Sequence, residues 1–220
     1  MVFPIIKNNN PIGEYRIGET VILVKNSFTG NFEINNVIQT IKNLPYSILS
    51  VADSICIGDF PFLKKRQIEA VYNDRMIYIT NKQNSPEQFL KNLIHELAHG
   101  CEEQYYNDVY DDHSIKQEFI SKRIKMYEIL TAYGYDQFKK ESYLNPEYEE
   151  SFDKYLFQTI GYDKLGSLVR GVFLSPYAAT SLREYFANGF EKYFLEGDEE
   201  INRVCPQLAS KLAMFVQKVV

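Results

Sequence analysis

Tryptophan is absent from this 220-residue chain, and cysteine and histidine occur only three times each. The cysteines, Cys56, Cys101 and Cys205, are far apart and odd in number. They form neither a C-x-x-C pair nor a disulfide framework, so a reducing compartment or plain inertness of the thiols is expected. Lysine and arginine form no block and the net charge is −5, so the basic footprint of a nucleic-acid-binding protein is not evident. No stretch approaches the ~18 continuous apolar residues of a membrane helix. The first residues, MVFPIIKNNNPIGEY, hold an apolar run too short for a signal h-region and no A-x-A-like cleavage site. A cytoplasmic location is the default expectation, with secretion or delivery as an effector left open. Internal repeats and low-complexity linkers are also missing, and the chain reads as one domain spanning 1–220.

Apolar residues make up 45% of the chain, with 17 tyrosines and 15 phenylalanines. That suits a soluble globular protein with a substantial core. Acidic residues gather at 102–103, 111–112, 147–150 and 196–200, where solvated loops and helix ends are their usual fate. Up to about residue 82 short strands and helices mix. TVILVK (20–25) reads as a strand, NVIQTIKNL (36–44) has helical spacing, and SILSVADSICI (47–57) reads as one or two buried strands. Asn73-Asp74 is a two-residue turn signal that makes EAVYNDRMIYIT a hairpin. From residue 85 onward helices dominate, over about 85–106, 113–133, 146–160, 162–173, 181–195 and 206–219. Strands first and helices afterwards argue for α+β. The expected division is a sheet lobe plus one long helix over 1–106 and a helical lobe over 107–220.

Residues 93–100 read LIHELAHG, so two of the three histidines fall in an H-E-x-x-H pattern, His95-Glu96-Leu97-Ala98-His99. Ser85-Pro86-Glu87-Gln88 is a helix start, with a capping serine, proline at the first helical position and Gln88 able to complete a capping box. At ~3.6 residues per turn, Phe89, Leu90, Leu93, Ile94, Leu97 and Cys101 share one face. His95 and His99 fall together on the opposite face, near Asn92 and Glu103, with Glu96 at its edge. The i, i+4 spacing brings both imidazoles within reach of one zinc ion. The competing reading is an exposed polar face with two idle histidines.

A catalytic zinc site needs a third protein ligand. Glu102 and Tyr105 stand where the metzincin pattern requires Gly and His, which excludes that class. Tyr105 also argues against ribonucleases of the H-x3-H-x5-H type. His113 stays open as a ligand, but it follows the loop YNDVYDD and precedes a helix, where a surface role is the expectation. In SLREYFANGFEKYF (181–194) the apolar stripe is Leu182, Phe186, Phe190, Tyr193 and Phe194, and Glu184 points away from it, with Asn188 one turn on. Ser181-x-x-Glu184 is also a capping box, and spacing supports a ligand and a cap equally.

Tyr177-AATSLR-Glu184-YFANGF resembles the C-terminal signature of the anthrax lethal factor-like zinc metallopeptidases, which include the Pro-Pro endopeptidases. In that family the H-E-x-x-H helix is followed far downstream by a glutamate ligand in an E-[FY]-F-A-x-x-F context, with a tyrosine seven residues before it. Cys205-Pro206-Gln207 resembles the Pro-Pro endopeptidase tail. The resemblance covers about 89–101 and 174–208. It departs at Asn188, where relatives often carry a glutamate, in the first 80 residues, and in the missing secretion signal. It implies a zincin-like fold, with the active-site helix between a mixed-sheet lobe and a helical lobe, and one Zn2+ per chain held by His95, His99 and Glu184. Glu96 would be general base and then acid, and Tyr177 would donate to the developing oxyanion. The implied activity is zinc-dependent, toxin-like endoproteolysis of a protein or peptide, with no nucleic-acid or membrane partner. Arg75–Thr80 reads equally as a sheet edge for an extended substrate and as a core strand, and Asn188 and Glu103 are candidate partners for the histidines by helix phase. Two alternatives stand beside this reading: a non-catalytic zincin-like binding module, and a hydrolase of non-peptide amides.

Overall fold

The structure, a computed structural model, describes residues 12–29 and 33–219. Residues 1–11, the bulk of the stretch read for a signal segment, lie outside that range. The architecture is α+β. The chain forms two compact units, the first running to Gly100 and the second from Cys101 to Val219.

The first unit holds strands β1 (Gly13–Ile17), β2 (Thr20–Val24), β3 (Ser54–Gly58), β4 (Ala70–Asn73) and β5 (Met76–Thr80), with helices α1 (Ile34–Lys42), α2 (Tyr46–Leu49) and α3 (Pro61–Arg66) between them. The sheet order is β1-β2-β3-β5-β4. Its centre is parallel, Ile22 facing Ile55 and Ile55 facing Ile77. Both outer strands pair antiparallel. In β2 burial alternates, whereas β3 is buried at four successive positions, as befits a parallel strand covered on both faces. The first half of SILSVADSICI is helical rather than a strand. α2 starts directly after Pro45, whose fixed φ suits a helix entry, and the buried Thr20 hydroxyl ties its far end down by donating to Leu49 O and Ala52 O.

The β4–β5 hairpin forms, with its turn one residue later than the Asn73-Asp74 signal implies. Asn73 pairs with Met76, and Asp74 and Arg75 take φ of 49° and 59°. Arg75 is held there from both sides, by the Asp53 carboxylate at 2.8 Å and by Ser50 O at 2.9 Å. β5 lies inside the sheet, so of the two readings of Arg75–Thr80 the core strand holds and the sheet edge does not. The outer strands are β1 and β4.

Helix α4 (Pro86–Gln104) runs from the first unit into the second. The second unit continues with α5 (Tyr106–Tyr110), α6 (Ser114–Ala132), α7 (Lys140–Leu144), α8 (Glu150–Lys154), α9 (Tyr162–Leu168), α10 (Leu182–Glu196), α11 (Glu199–Val204) and α12 (Pro206–Val219), plus a π-turn at Tyr155–Ile160 and a 3-10 turn at Tyr177–Ala179. Its core joins Phe119 and Met126 of α6, Tyr185, Phe186 and Phe190 of α10, and Leu208 and Leu212 of α12. Tyr185 belongs to that core in place of the predicted Leu182, Tyr193 and Phe194, which are only half-buried. Its hydroxyl donates to Glu118 Oε1 at 2.7 Å. The same carboxylate accepts the N–H groups of Gln207 and Leu208, which satisfies donors that the first turn of α12 leaves without helical partners. All three cysteines are buried and reduced. Among the described residues, no helix is long and apolar enough to cross a membrane.

Candidate metal centre

α4 starts as its sequence dictates, with Ser85 Oγ accepting the Gln88 N–H at 3.2 Å. Phe89, Leu93, Ile94, Leu97 and Cys101 are buried, so the predicted apolar stripe forms the packed face. On the other face the His95 and His99 rings meet edge to face at 5.0 Å between centroids. His95 is half-buried and His99 only 7% exposed.

Glu96 is 8% exposed. Its Oε2 accepts the backbone N–H of Tyr72 at 2.6 Å. Glu69, Val71 and Asn73 turn their backbone groups toward β5, as the bond from Thr80 N to Glu69 O shows, so the Tyr72 N–H points off the outer edge of the sheet. The carboxylate is therefore oriented by an edge strand. The same strand region holds α4 at two further points. Asn92 Nδ2 donates to Glu69 Oε2 at 2.8 Å. At Gly100 a Cβ would stand 2.5 Å from Val51 Cγ2 and 2.9 Å from Tyr72 Cε2.

Glu184 lies in the first turn of α10. Its backbone N–H donates to Ser181 Oγ at 3.1 Å, so the capping serine is real. Its carboxylate enters a different relation. Among the described residues, His95, His99 and Glu184 form one group with metal-ligand chemistry, their ligand atoms all within 4.8 Å of one another. Two imidazoles and a carboxylate are a donor set able to hold a divalent metal ion such as zinc. The residues fit the ion.

Tyr177 opens the 3-10 turn just before α10 and is 38% exposed. Its turn is fastened by Thr180 Oγ1 to Tyr177 O at 2.8 Å and by the Ala178 N–H to Ser175 Oγ at 3.1 Å. Ser175 Oγ in turn donates to Asn188 Oδ1 at 2.6 Å, and Asn188 Nδ2 donates to Glu184 O. Asn188 therefore ties the Tyr177 turn to α10, where the sequence had suggested a partner for the histidines. His113 is exposed with φ of 59° at the start of α6, the surface role expected of it.

Glu103 is exposed, and the inward carboxylate is Glu102, 8% exposed. Seven residues after His95 is nearly two full turns, so Glu102 shares the histidine face of α4. Its Oε1 accepts the Tyr110 hydroxyl at 2.5 Å and its Oε2 faces Arg183 Nε at 3.4 Å. Burial pushes its carboxyl above the usual range, against the lowering effects of Tyr110 and Arg183. In the sequence this position reads as half of a solvated acidic pair and as a failed metzincin glycine; Glu102 is buried instead, and its helix phase already places it.

Comparison with protein-family models, with curated proteins and with solved structures finds no match. The functional reading therefore rests on the chain's own geometry.

Proposed function

We propose that the chain is a zinc-dependent endopeptidase of zincin-like fold, related to the lethal factor-like metallopeptidases. One observation carries the proposal. A buried glutamate that is not a member of the ligand group, Glu96, lies on the helix between two histidines whose rings meet edge to face, and is oriented by the Tyr72 N–H. A purely structural zinc site has no use for such a carboxylate, because it fills all four positions with protein ligands. His95, His99 and Glu184 would hold the ion, whose Lewis acidity acts on water and on the carbonyl of the bond to be cut.

The protein's own groups then divide the work. Glu96 accepts a proton from the attacking water and returns it to the departing amine. Tyr177, on its fastened turn, donates its hydroxyl hydrogen to the oxygen on which negative charge collects. Glu96→Gln preserves the shape of the carboxylate and removes its basicity. It is expected to retain one equivalent of zinc while hydrolysis of a peptide library falls by roughly 10^3-fold, within the range of general acid–base effects. Zinc content and cleavage are measured on the same preparations. Cleavage at the wild-type rate by zinc-loaded Glu96→Gln would remove Glu96 from this role. Glu184→Ala is expected to lose zinc to a chelator that the wild type resists, and full retention would remove Glu184 from the ligand set.

A further inference from the structure

Glu102 is a buried carboxylate one turn beyond His99, and its setting is unusual for a group that only fills space. An ionised side chain out of water destabilises the fold unless its oxygens are bonded. Here each oxygen has its own partner on a different element. Tyr110 of α5 donates to Oε1, and the Arg183 guanidinium of α10 faces Oε2. Tyr110 is itself only 8% exposed and sets its ring 6.4 Å from that of Phe186 on α10. Arg183 and Phe186 flank Glu184 and Tyr185 within the first two turns of α10. One carboxylate thus gathers two contacts that fix the start of α10, in rotation through Arg183 and in position through Tyr110 and Phe186. Well-packed apolar side chains around the Glu102 position would stabilise the fold as well as a buried carboxylate with an ionic partner, or better. What they would not supply is direction.

We propose that Glu102 and Arg183 are positioning residues for the metal centre, a clasp that fixes the turn from which Glu184 extends. The proposal rests on the zinc reading given above. Groups that orient metal ligands commonly change affinity by 10- to 100-fold when removed, although they never touch the ion. Arg183 is the residue immediately before Glu184, and Glu102 lies on the helix face that carries His95 and His99. Any looseness in the clasp passes directly into the reach of the third ligand.

The test uses the full chain with zinc as the only added ligand. Glu102→Gln, Arg183→Gln and the double variant are compared with wild type by chelator competition and, in the metal-free state, by thermal melting. Each single variant is expected to weaken zinc binding by about 10- to 100-fold. The double variant is expected to be no weaker than the worse single, because both remove the same contact. Arg183→Lys, which keeps the charge, is expected to recover part of the loss. Zinc affinity within twofold of wild type in folded Arg183→Gln, whatever happens to its melting temperature, would reduce the clasp to an ordinary ion pair and overturn the proposal. So would independent, additive losses. The Arg183 side chain is 53% exposed, so that variant keeps the test decisive if Glu102→Gln does not fold. A wild-type chain that binds no zinc is a different failure, since it removes the peptidase reading and the clasp with it.

Discussion

Gly100 closes the LIHELAHG stretch with a hydrogen atom where every other residue carries a Cβ. Its added Cβ would press on backbone-anchored neighbours, Val51 and the Tyr72 ring, and Tyr72 is also the residue whose N–H orients Glu96. Gly100→Ala is therefore expected to destabilise the fold by roughly 1–3 kcal/mol, as overpacking does. On the proposed peptidase reading it should also lower hydrolysis more than it lowers zinc binding. Denaturant melts, zinc titration and cleavage assays on one preparation check this. An alanine variant as stable and as active as wild type would show that Val51 and Tyr72 yield freely. At this scale the sequence carried much of the information. The phase of His95, His99 and the apolar stripe follows from a 3.6-residue repeat. The Tyr72–Glu96 bond does not, because a backbone N–H has no sequence signature and its partner lies 24 residues away.

Among the elements, α6 contributes a residue whose character runs against its place. Arg123 is 1% exposed. Its guanidinium lies 4.3 Å from the Phe152 ring centre and 5.4 Å from that of Phe119. Burial lowers its pKa to about 10, and it donates to Asn145 O at 2.8 Å and Ser142 O at 3.0 Å. It thereby pins the end of α7. The next carbonyl along, Pro146 O, accepts the Leu182 N–H that opens α10. Arg123→Met fills much of the same volume but leaves the Ser142 and Asn145 carbonyls without their donor, for an expected loss of about 2–4 kcal/mol in chemical unfolding. A smaller loss than ~1 kcal/mol would mean that the α7 turn finds other donors. Most element types were readable, α4 and α10 from periodicity and caps, with α6 and α12 lying where helices were expected. Those misread were decided by distant contacts. α2 depends on Thr20, and the hairpin turn moved by one residue because Asp53 and Ser50 hold Arg75 with positive φ.

At the scale of the whole molecule, α+β organisation was legible from the order of strands and helices, whereas the sheet order was not. Parallel pairing of β2, β3 and β5 requires crossovers that leave no local trace in the sequence. Charge gives this scale its pH dependence. Lys211, on α12, donates to Asp112 Oδ2 at 2.6 Å at the entry to α6. That contact and those from Ser114 hold the Asp112 pKa at about 2, below its ordinary value. A carboxylate depressed in the folded state stabilises the fold above its unfolded pKa of ~3.9 and loses that effect as pH falls toward 2. The melting temperature of Asp112→Asn is accordingly expected to lie below that of wild type at pH 6, with the gap narrowing from pH 5 to pH 3. A gap that widens on acidification would contradict the sign. Finally, the three buried cysteines have a practical corollary. Burial raises the Cys56 thiol and pushes Cys101 to about 12 and Cys205 to about 11, so almost no thiolate exists near neutral pH to attack an electrophile. The folded chain offers a dark background to maleimide dyes, and one cysteine introduced at exposed Tyr133 or Phe157 would be the sole labelled site for fluorescence.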